Sequence, residues 1–251
     1  MSKYYNSEFY SKAIEVANIE GEILVIITDD KGREIIYTWY DIEEKTSQSV
    51  YINKCLLGGF IKKIPENVLI IGFGGGAFAK YLEDHIKNIN ITGIDIDKTM
   101  FEIAKKELFV KSDNFIVSDA LLALKELVKN NLKYDLVLLD IYGGDGEVPD
   151  YIKDIEFFEY VKSVLKDDGV VSVNFADYYI GNLKHDKTHE NLVNIFGKNF
   201  SQFLAGTNDR GNVIGIYNLD KKYSSDDYIN KYTEHVQKGR ISFDENIIAG
   251  F

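Results

Sequence analysis

The stretch Val68-Leu69-Ile70-Ile71-Gly72-Phe73-Gly74-Gly75-Gly76-Ala77 decides the fold. Four apolar, mostly β-branched residues form a strand too short for a helix, and they run straight into glycines. The segment from Gly76 to Lys87 then takes a helical period. Glycines let a backbone approach a ligand closely, and a helix N-terminus offers free N–H groups to it. A tight strand–helix turn without a ligand is the competing structural reading. The next strand, Ile91 to Ile94, ends in Gly93-Ile94-Asp95-Ile96-Asp97, which sets Asp95 about twenty residues beyond the glycines. In an open parallel sheet the ligand lies past the C-terminal ends of the strands. A carboxylate there can accept both hydroxyls of a ribose. Asp97 is placed to cap the following helix.

Outward from this unit, short apolar strands alternate with amphipathic helices. Helices are predicted over Lys98–Leu108, Ala120–Lys129, Asp154–Leu165 and His185–Phe196. Strands are predicted over Phe115–Val117, Tyr134–Leu139 and, after an Asp168-Gly169 turn, Val170–Phe175. This alternation means an α/β fold with a parallel sheet covered on both faces. Phe200–Ala205 and Val213–Leu219 read as a final antiparallel pair joined by a loop from Gly206 to Asn212, and Ser224 or Ser225 caps a last helix reaching Gln237. Before the glycine stretch the pattern differs. Gly21–Thr28 and Arg33–Tyr40 flank an Asp-Asp-Lys-Gly turn as a β-hairpin. Thr46 or Ser47 is predicted to cap a helix to Leu57 that Gly58-Gly59 ends. The expected division is a hairpin subdomain with one helix over 1–64 and an α/β domain over 65–251.

Composition narrows the function. The chain has 251 residues, 45% hydrophobic and 27% charged, as in ordinary globular proteins. The net charge of −11 opposes nucleic acid, whose phosphates dominate affinity, and suits a cationic small molecule. Arginine, the usual bidentate phosphate reader, occurs only at positions 33, 210 and 240. No apolar run is long enough for a membrane span and no signal segment is visible, so neither membrane nor nucleic-acid partners are expected. With Cys55 the sole cysteine, a disulfide framework is impossible and a cytoplasmic location is expected.

Two further loops carry chemistry. In Ser118-Asp119-Ala120, Asp119 can take the exocyclic amine of an adenine, cap the following helix, or do both. After the fourth strand, Asp140-Ile141-Tyr142-Gly143-Gly144-Asp145-Gly146-Glu147-Val148-Pro149-Asp150 gathers carboxylates and a tyrosine where a substrate lies. Such carboxylates can hold a cationic acceptor or take a proton from an attacking amine. A solvated acidic turn is the bland alternative. The glycine loop also fits a dinucleotide fingerprint loosely through Gly72 and Gly74, with Ala77 at the third glycine. His185 and His189 stand four apart without the glutamate of a metalloprotease motif and are read as surface residues. Cys55 is read as an inert helix residue. Tyr178 and Tyr179 follow the fifth strand as ligand neighbours or surface aromatics. No metal site is expected.

Taken together, in this order, these segments resemble the spermidine synthase family, which has the Rossmann-like class I S-adenosylmethionine-dependent methyltransferase fold. The resemblance runs from Glu20 to Asn174. It includes the hairpin, Ser47-Gln48-Ser49-Val50-Tyr51, the glycine loop, the Asp95 segment, the Asp140 loop, and Phe157–Gly169, similar to the family's E-F-[YF]-x-x-[VL]-x-x-x-L-x-x-[DG]-G. It implies a parallel sheet with an antiparallel final strand and an adenosyl co-substrate. Gly72, Gly74, Gly75, Gly76, Asp95, Asp119, Ala120 and Asp140 would contact that co-substrate, with Asp95 on the ribose and Asp119 on the adenine. Gln48 aligns with the glutamine of Y-Q-E, which lies against it. Asp140 aligns with the first aspartate of D-S-S-D-P.

The departures are specific. Gly75 stands where the family's G-G-G-D-G-G has the aspartate that helps hold the aminopropyl ammonium of decarboxylated S-adenosylmethionine. Ser47 stands at the tyrosine. Gly143 stands at the second aspartate of D-S-S-D-P, which a two-residue insertion would replace with Asp145, four residues before Pro149. Unshifted, the loop resembles spermidine-synthase-like proteins carrying D-A-[FY]-x-G-x-x-[IV]-P. The expected activity is alkylation of a small cationic amine, by aminopropyl or methyl transfer, from S-adenosylmethionine or its decarboxylated form. Asp140 would orient the amine, Asp145 would be the base, and Tyr142 and Asp145 would contact the substrate. The loss of the Gly75-position aspartate leans toward the intact donor. The rival readings are a catalytically silent adenosyl-ligand-binding protein and an NAD-type dehydrogenase. Pairing of hairpins between subunits, as in relatives, would make a homodimer.

Overall fold

The computed structural model describes residues 1–10, 13–28, 31–143, 148–179, 186–207, 210–242, 244 and 247–248. A seven-stranded sheet carries the molecule. Its strands are β6 (Asn67–Ile71), β7 (Asn90–Asp95), β8 (Asn114–Val117), β9 (Tyr134–Leu139), β10 (Leu165–Tyr179), β11 (Phe200–Thr207) and β12 (Arg210–Asn218), in the order β11-β12-β10-β9-β6-β7-β8. β12 runs against both its neighbours, and every other pairing is parallel. Successive side chains of a strand point to opposite faces. Val68 and Ile70 of β6 therefore enter one core, while Leu69 and Ile71 enter the other.

The helices sort onto these two faces. Residues of α1 (Val50–Gly59), α2 (Ala77–His85), α3 (Lys98–Lys106) and α7 (Ser225–Gln237) share the first core. Residues of α4 (Ala120–Lys129), α5 (Ile155–Ser163) and α6 (Lys187–Phe196) share the second. A single 3₁₀ turn over Asp150–Lys153 precedes α5. Among the described residues, no helix is long and apolar enough to cross a membrane.

The N-terminal part is larger than a hairpin. β1 (Ser2–Tyr5), β2 (Ile14–Ile19), β3 (Glu22–Thr28), β4 (Glu34–Asp41) and β5 (Thr46–Ser47) form a five-stranded antiparallel meander in sequence order. Val16, Ile23, Val25, Ile27 and Tyr40 of this sheet join the same core as α1, α2 and α3. The sheet thereby rests on the glycine-loop side of the large sheet.

Several expectations are corrected. Thr46 and Ser47 do not cap α1. They pair with Asp41 and Tyr40 as β5, and Ser49 takes the N-cap position. Gly58 and Gly59 are the last two residues of α1, the end that the sequence predicts, and they are also close-packing positions. A Cβ on Gly58 would stand 2.4 Å from Ile216 Cδ1, and one on Gly59 would stand 2.5 Å from Leu136 Cδ2. The predicted 206–212 loop is largely strand, because Ala205, Gly206 and Thr207 pair with Asn212, Gly211 and Arg210. Asp168-Gly169 is an irregularity within β10, between the Leu165 and Val170 pairings, rather than a turn before it. The last helix is as expected, with Ser224 and Asp227 forming a reciprocal capping box.

Candidate functional site

The glycine loop turns on three positive φ angles: Gly72 (+82°), Gly74 (+53°) and Gly76 (+91°). Gly72 is needed on a second count. A Cβ there would lie 2.0 Å from the carbonyl oxygen of Asp140, so the end of β6 passes directly against the end of β9. Gly74 is the opposite case, with nothing within 4 Å of where its Cβ would stand. Its amide instead donates to Asp95 Oδ2 at 2.9 Å, while the Asp97 amide donates to Oδ1 at 2.9 Å. The carboxylate at the end of β7 is thus fixed by the loop that precedes α2.

Burial pushes the Asp95 carboxyl up to about 6, aided by the neighbouring Asp97, against the amides of Asp97, Gly74 and Phe73 that favour its charged form. Asp97 caps α3 through the Thr99 amide at 2.8 Å, the role its position predicts. Phe73, at a glycine position of the family pattern, is buried against Phe101 and Phe115 with ring centroids 5.0 and 5.2 Å away. Gly93 makes room for it, since a Cβ there would meet Phe73 Cδ2 at 2.4 Å.

Gly75 has no space for a side chain. A Cβ would stand 2.6 Å from Thr38 Oγ1 and 2.7 Å from Val25 Cγ2, so β3 and β4 close over the position where the family pattern carries aspartate. Asp119 caps α4 by accepting from the Leu121 and Leu122 amides at 2.9 and 3.3 Å, and Ala120 is buried behind it. Asp119 also bonds the Tyr151 hydroxyl, which burial and this carboxylate push above its ordinary range.

Asp140 sits at the end of β9, beside Asn174 at the matching level of β10. Asn174 Nδ2 donates to Asp140 Oδ1 at 2.7 Å, and the Tyr51 hydroxyl of α1 bonds the same carboxyl. Burial pushes Asp140 up to about 6, and those two hydrogen bonds pull the other way. Asn174 Oδ1 is buried and has no hydrogen-bond partner among the described residues. Sequence reasoning missed both Tyr51 and Asn174. The in-register pairing of β9 with β10 is the signal that would have found Asn174.

The remaining expected residues are less uniform. Tyr142 sends its hydroxyl back to the Asn174 carbonyl at 2.8 Å, bracing the β9–β10 ends. Gln48 is exposed, and it is Tyr51, three residues on, that reaches the Asp140 carboxyl. Asp145 and its neighbours Gly144, Gly146 and Glu147 lie outside the described residues, as do His185 and the side chains of Tyr178 and Tyr179. His189 is not a surface residue. It is buried, with Nδ1 2.6 Å from the Tyr217 hydroxyl. Cys55 is buried on α1, and burial and Asp140 push its thiol up. Among the described residues no group of His, Cys, Asp or Glu gathers as a metal site.

A glycine loop, a carboxylate at the end of the next strand, an aspartate that caps α4 and a hydrogen-bonded carboxyl at the end of the fourth strand lie at the strand ends of a Rossmann-like α/β fold. The spermine/spermidine synthase domain profile matches residues 55–222, and the chain belongs to that family. A polyamine aminopropyltransferase of Vibrio vulnificus is 29% identical over 151 residues, covering 59% of this chain and 50% of that protein. The match therefore spans half the length of that relative. Among solved structures, a probable spermidine synthase from Corynebacterium glutamicum is 15% identical, with TM-score 0.74, covering 94% of this chain and 87% of that one. Human methyltransferase-like protein 13, solved in complex with SAH, is 19% identical with TM-score 0.63, covering 77% and 94%. These likenesses fix the fold as a spermidine-synthase-like, methyltransferase-type α/β fold.

Proposed function

We propose that the chain is a transferase that alkylates the nitrogen of a small cationic amine, using S-adenosylmethionine or its decarboxylated form as donor. One observation carries the reading. Asp140 is a buried carboxyl held by Tyr51 and Asn174, and its own main chain lies directly against Gly72 of the loop that would hold the donor.

The residues fit such a donor. Asp95 would meet the ribose hydroxyls, a reading supported by its bond from the Gly74 amide of the glycine loop. Gly74 leaves open space where a ligand backbone contact is needed. The donor supplies a sulfonium, which makes its attached carbon electrophilic. The amine's lone pair forms the new C–N bond, the C–S electrons return to sulfur as a thioether, and one N–H proton must leave. The protein's part is to align the amine and take that proton. Asp140, lifted to about 6, is ionised at neutral pH yet basic enough to accept it. Asp145 remains the other candidate base.

Gly75 favours the intact donor. A carboxylate cannot stand at this position while Val25 and Thr38 close over it, so the ammonium of a decarboxylated donor lacks that partner. An added charge-assisted hydrogen bond is worth roughly 1.5–3 kcal/mol, enough to set a preference. The family's named relatives are aminopropyltransferases, so the two donors are to be titrated side by side by calorimetry. Tighter binding of S-adenosylmethionine supports alkylation from the intact donor. Tighter binding of the decarboxylated form supports aminopropyl transfer to a polyamine. Binding of neither overturns the reading. We further propose a cytoplasmic homodimer paired through the N-terminal sheet, which light scattering tests. The exposed Tyr4 and Ile36 support such pairing.

A further inference from the structure

The segment before β2 is anchored across the nucleoside end of the cleft at four points. Lys3 and Tyr5 both bond Glu107, beyond the end of α3, with Lys3 Nζ at 2.8 Å. Thr99 Oγ1 donates to the Asn6 carbonyl at 3.1 Å. Ser7 Oγ donates to Asp97 Oδ2 at 2.5 Å, while the Phe9 and Tyr10 amides fold back onto Ser7 Oγ at 2.9 and 2.8 Å. Asp97 is the residue whose amide holds Asp95, so this anchoring sits two residues from the candidate ribose carboxylate.

Tyr10 follows directly. Its ring packs edge-on against Tyr37 of β4, with centroids 6.0 Å apart. Its hydroxyl bonds that of Tyr37 and feels the carboxylates of Asp95 and Asp97. Tyr37 in turn donates to the Gly143 carbonyl at 3.1 Å, three residues beyond Asp140. A chain of contacts therefore runs from the ribose end of the cleft, through two tyrosines, to the head of the Asp140 loop. Nothing in the sequence pattern singles out either tyrosine.

We infer that residues 6–10 are a strap over the donor site, with Tyr10 as its ribose-side wall and Tyr37 as the post that ties it to the Asp140 loop. The inference rests on the donor reading above. A strap bonded to Asp97 and Thr99 at the head of α3 must release for a nucleoside to reach Asp95 and must re-form over it, while β1 stays paired with β2. Bound nucleoside then leaves only as fast as the strap opens. Ser7 is the latch, because its hydroxyl joins Asp97 to two amides of the strap. Tyr10 and Tyr37 are positioning residues, acting on the donor's residence rather than on the reacting atoms.

The test measures association and dissociation rates of 5′-methylthioadenosine and of S-adenosylhomocysteine by surface plasmon resonance on the full chain. The variants are Ser7→Ala, Tyr10→Phe, Tyr37→Phe and, as a reference, Asp95→Asn. Ser7→Ala is expected to raise both rate constants, the mark of a gate. Each tyrosine variant is expected to raise the dissociation rate about threefold to tenfold, the scale of one hydrogen bond. Melting temperatures, recorded alongside, separate loss of fold from loss of closure. Wild-type binding that Asp95→Asn abolishes, with strap variants within twofold of wild type in both rates, overturns the strap and leaves the donor reading standing. Wild type binding neither nucleoside overturns both.

Discussion

Replacing Asp140 with asparagine should make the protein more stable at neutral pH while removing its activity. The side chain keeps its shape, so Asn174 Nδ2 retains an oxygen acceptor and the Tyr51 hydroxyl can turn to accept from the new amide. What changes is the charge. The Asp140 carboxyl titrates near 6 in the folded chain against an ordinary 3.8. At about 1.36 kcal/mol per unit, holding it ionised in place costs about 3 kcal/mol at pH 7.5. A folded value above the unfolded one means the folded state binds more protons between the two, so stability falls as pH rises through that window. The asparagine variant escapes this loss. Allowing about 1 kcal/mol for the weaker hydrogen bonds of an amide, a gain of about 2 kcal/mol remains, or about 4–8 °C in melting temperature. At pH 5 the wild-type loss falls to about half, so the variant's advantage must shrink. Scanning fluorimetry at pH 7.5 and pH 5 reads both quantities, and turnover should fall at least about a hundredfold. A variant less stable than wild type at pH 7.5, or equally favoured at both pH values, would refute the account of Asp140 as a buried, strained carboxylate.

Four other outcomes follow from the same structure. With donor saturating, kcat/KM should rise with pH to a plateau with its midpoint near 6, and Tyr51→Phe should move that midpoint upward, because the lost hydrogen bond favours the charged form; an unmoved midpoint excludes Asp140 as the base. Gly58→Ala should destabilise by about 1–3 kcal/mol in urea despite alanine's better helix propensity, since its methyl would overlap Ile216, and Ile216→Val should recover part of the loss. Asp135 is disfavoured by burial, but hydrogen bonds from Lys63, the Asn67 amide and Lys166 outweigh this and hold it down at about 2. Its contribution is therefore present above pH 4 and lost as pH falls toward 2, and Asp135→Ala should cost about 1–3 kcal/mol at pH 7 with a flatter acid limb in the urea midpoint. Gly75→Asp alone should fold poorly, whereas Gly75→Asp with Thr38→Gly and Val25→Ala should bind decarboxylated S-adenosylmethionine about tenfold or more tighter relative to the intact form by calorimetry.

The central sheet was legible because each parallel strand is buried on both faces and so reads as an apolar run. Tyr134–Leu139 and Ala120–Lys129 match the expected spans to the residue. β1 and β2 were not, because the N-terminal sheet is wetted on one side and its strands interleave charge, as in Ile14-Glu15-Val16. The paired glycines at 58 and 59 marked the end of α1 but hid a second role. Glycine after a helical pattern most often marks its end, and only the approach of Ile216 and Leu136 from distant strands reveals a packing role. The positions of Asp95, Asp119 and Asp140 were legible because each stands at or just past the end of a parallel strand. Tyr51, Asn174, Tyr10 and Tyr37 were not, since each reaches the site across elements far apart in sequence.

The departures from the family pattern also fit one another in space. Gly75 lacks its aspartate, and Val25 and Thr38 fill the volume that the side chain would need. Phe73 replaces a glycine, and it is packed between Phe101, Phe115 and the bare backbone of Gly93. A site losing function piecemeal would leave gaps and unpaired groups at each changed position. Here positions 73 and 75 are packed, and Asn174 Nδ2 donates to Asp140, the residue with the raised carboxyl. Burial lifts two carboxyls, Asp95 and Asp140, to about 6. Each is costly to hold ionised, and groups perturbed by burial within a cleft are where catalysis and binding concentrate. The cost of those two charges argues for a working site with an altered donor pocket rather than for a silent nucleoside binder. A binder needs Asp95 but gains nothing from ionising Asp140.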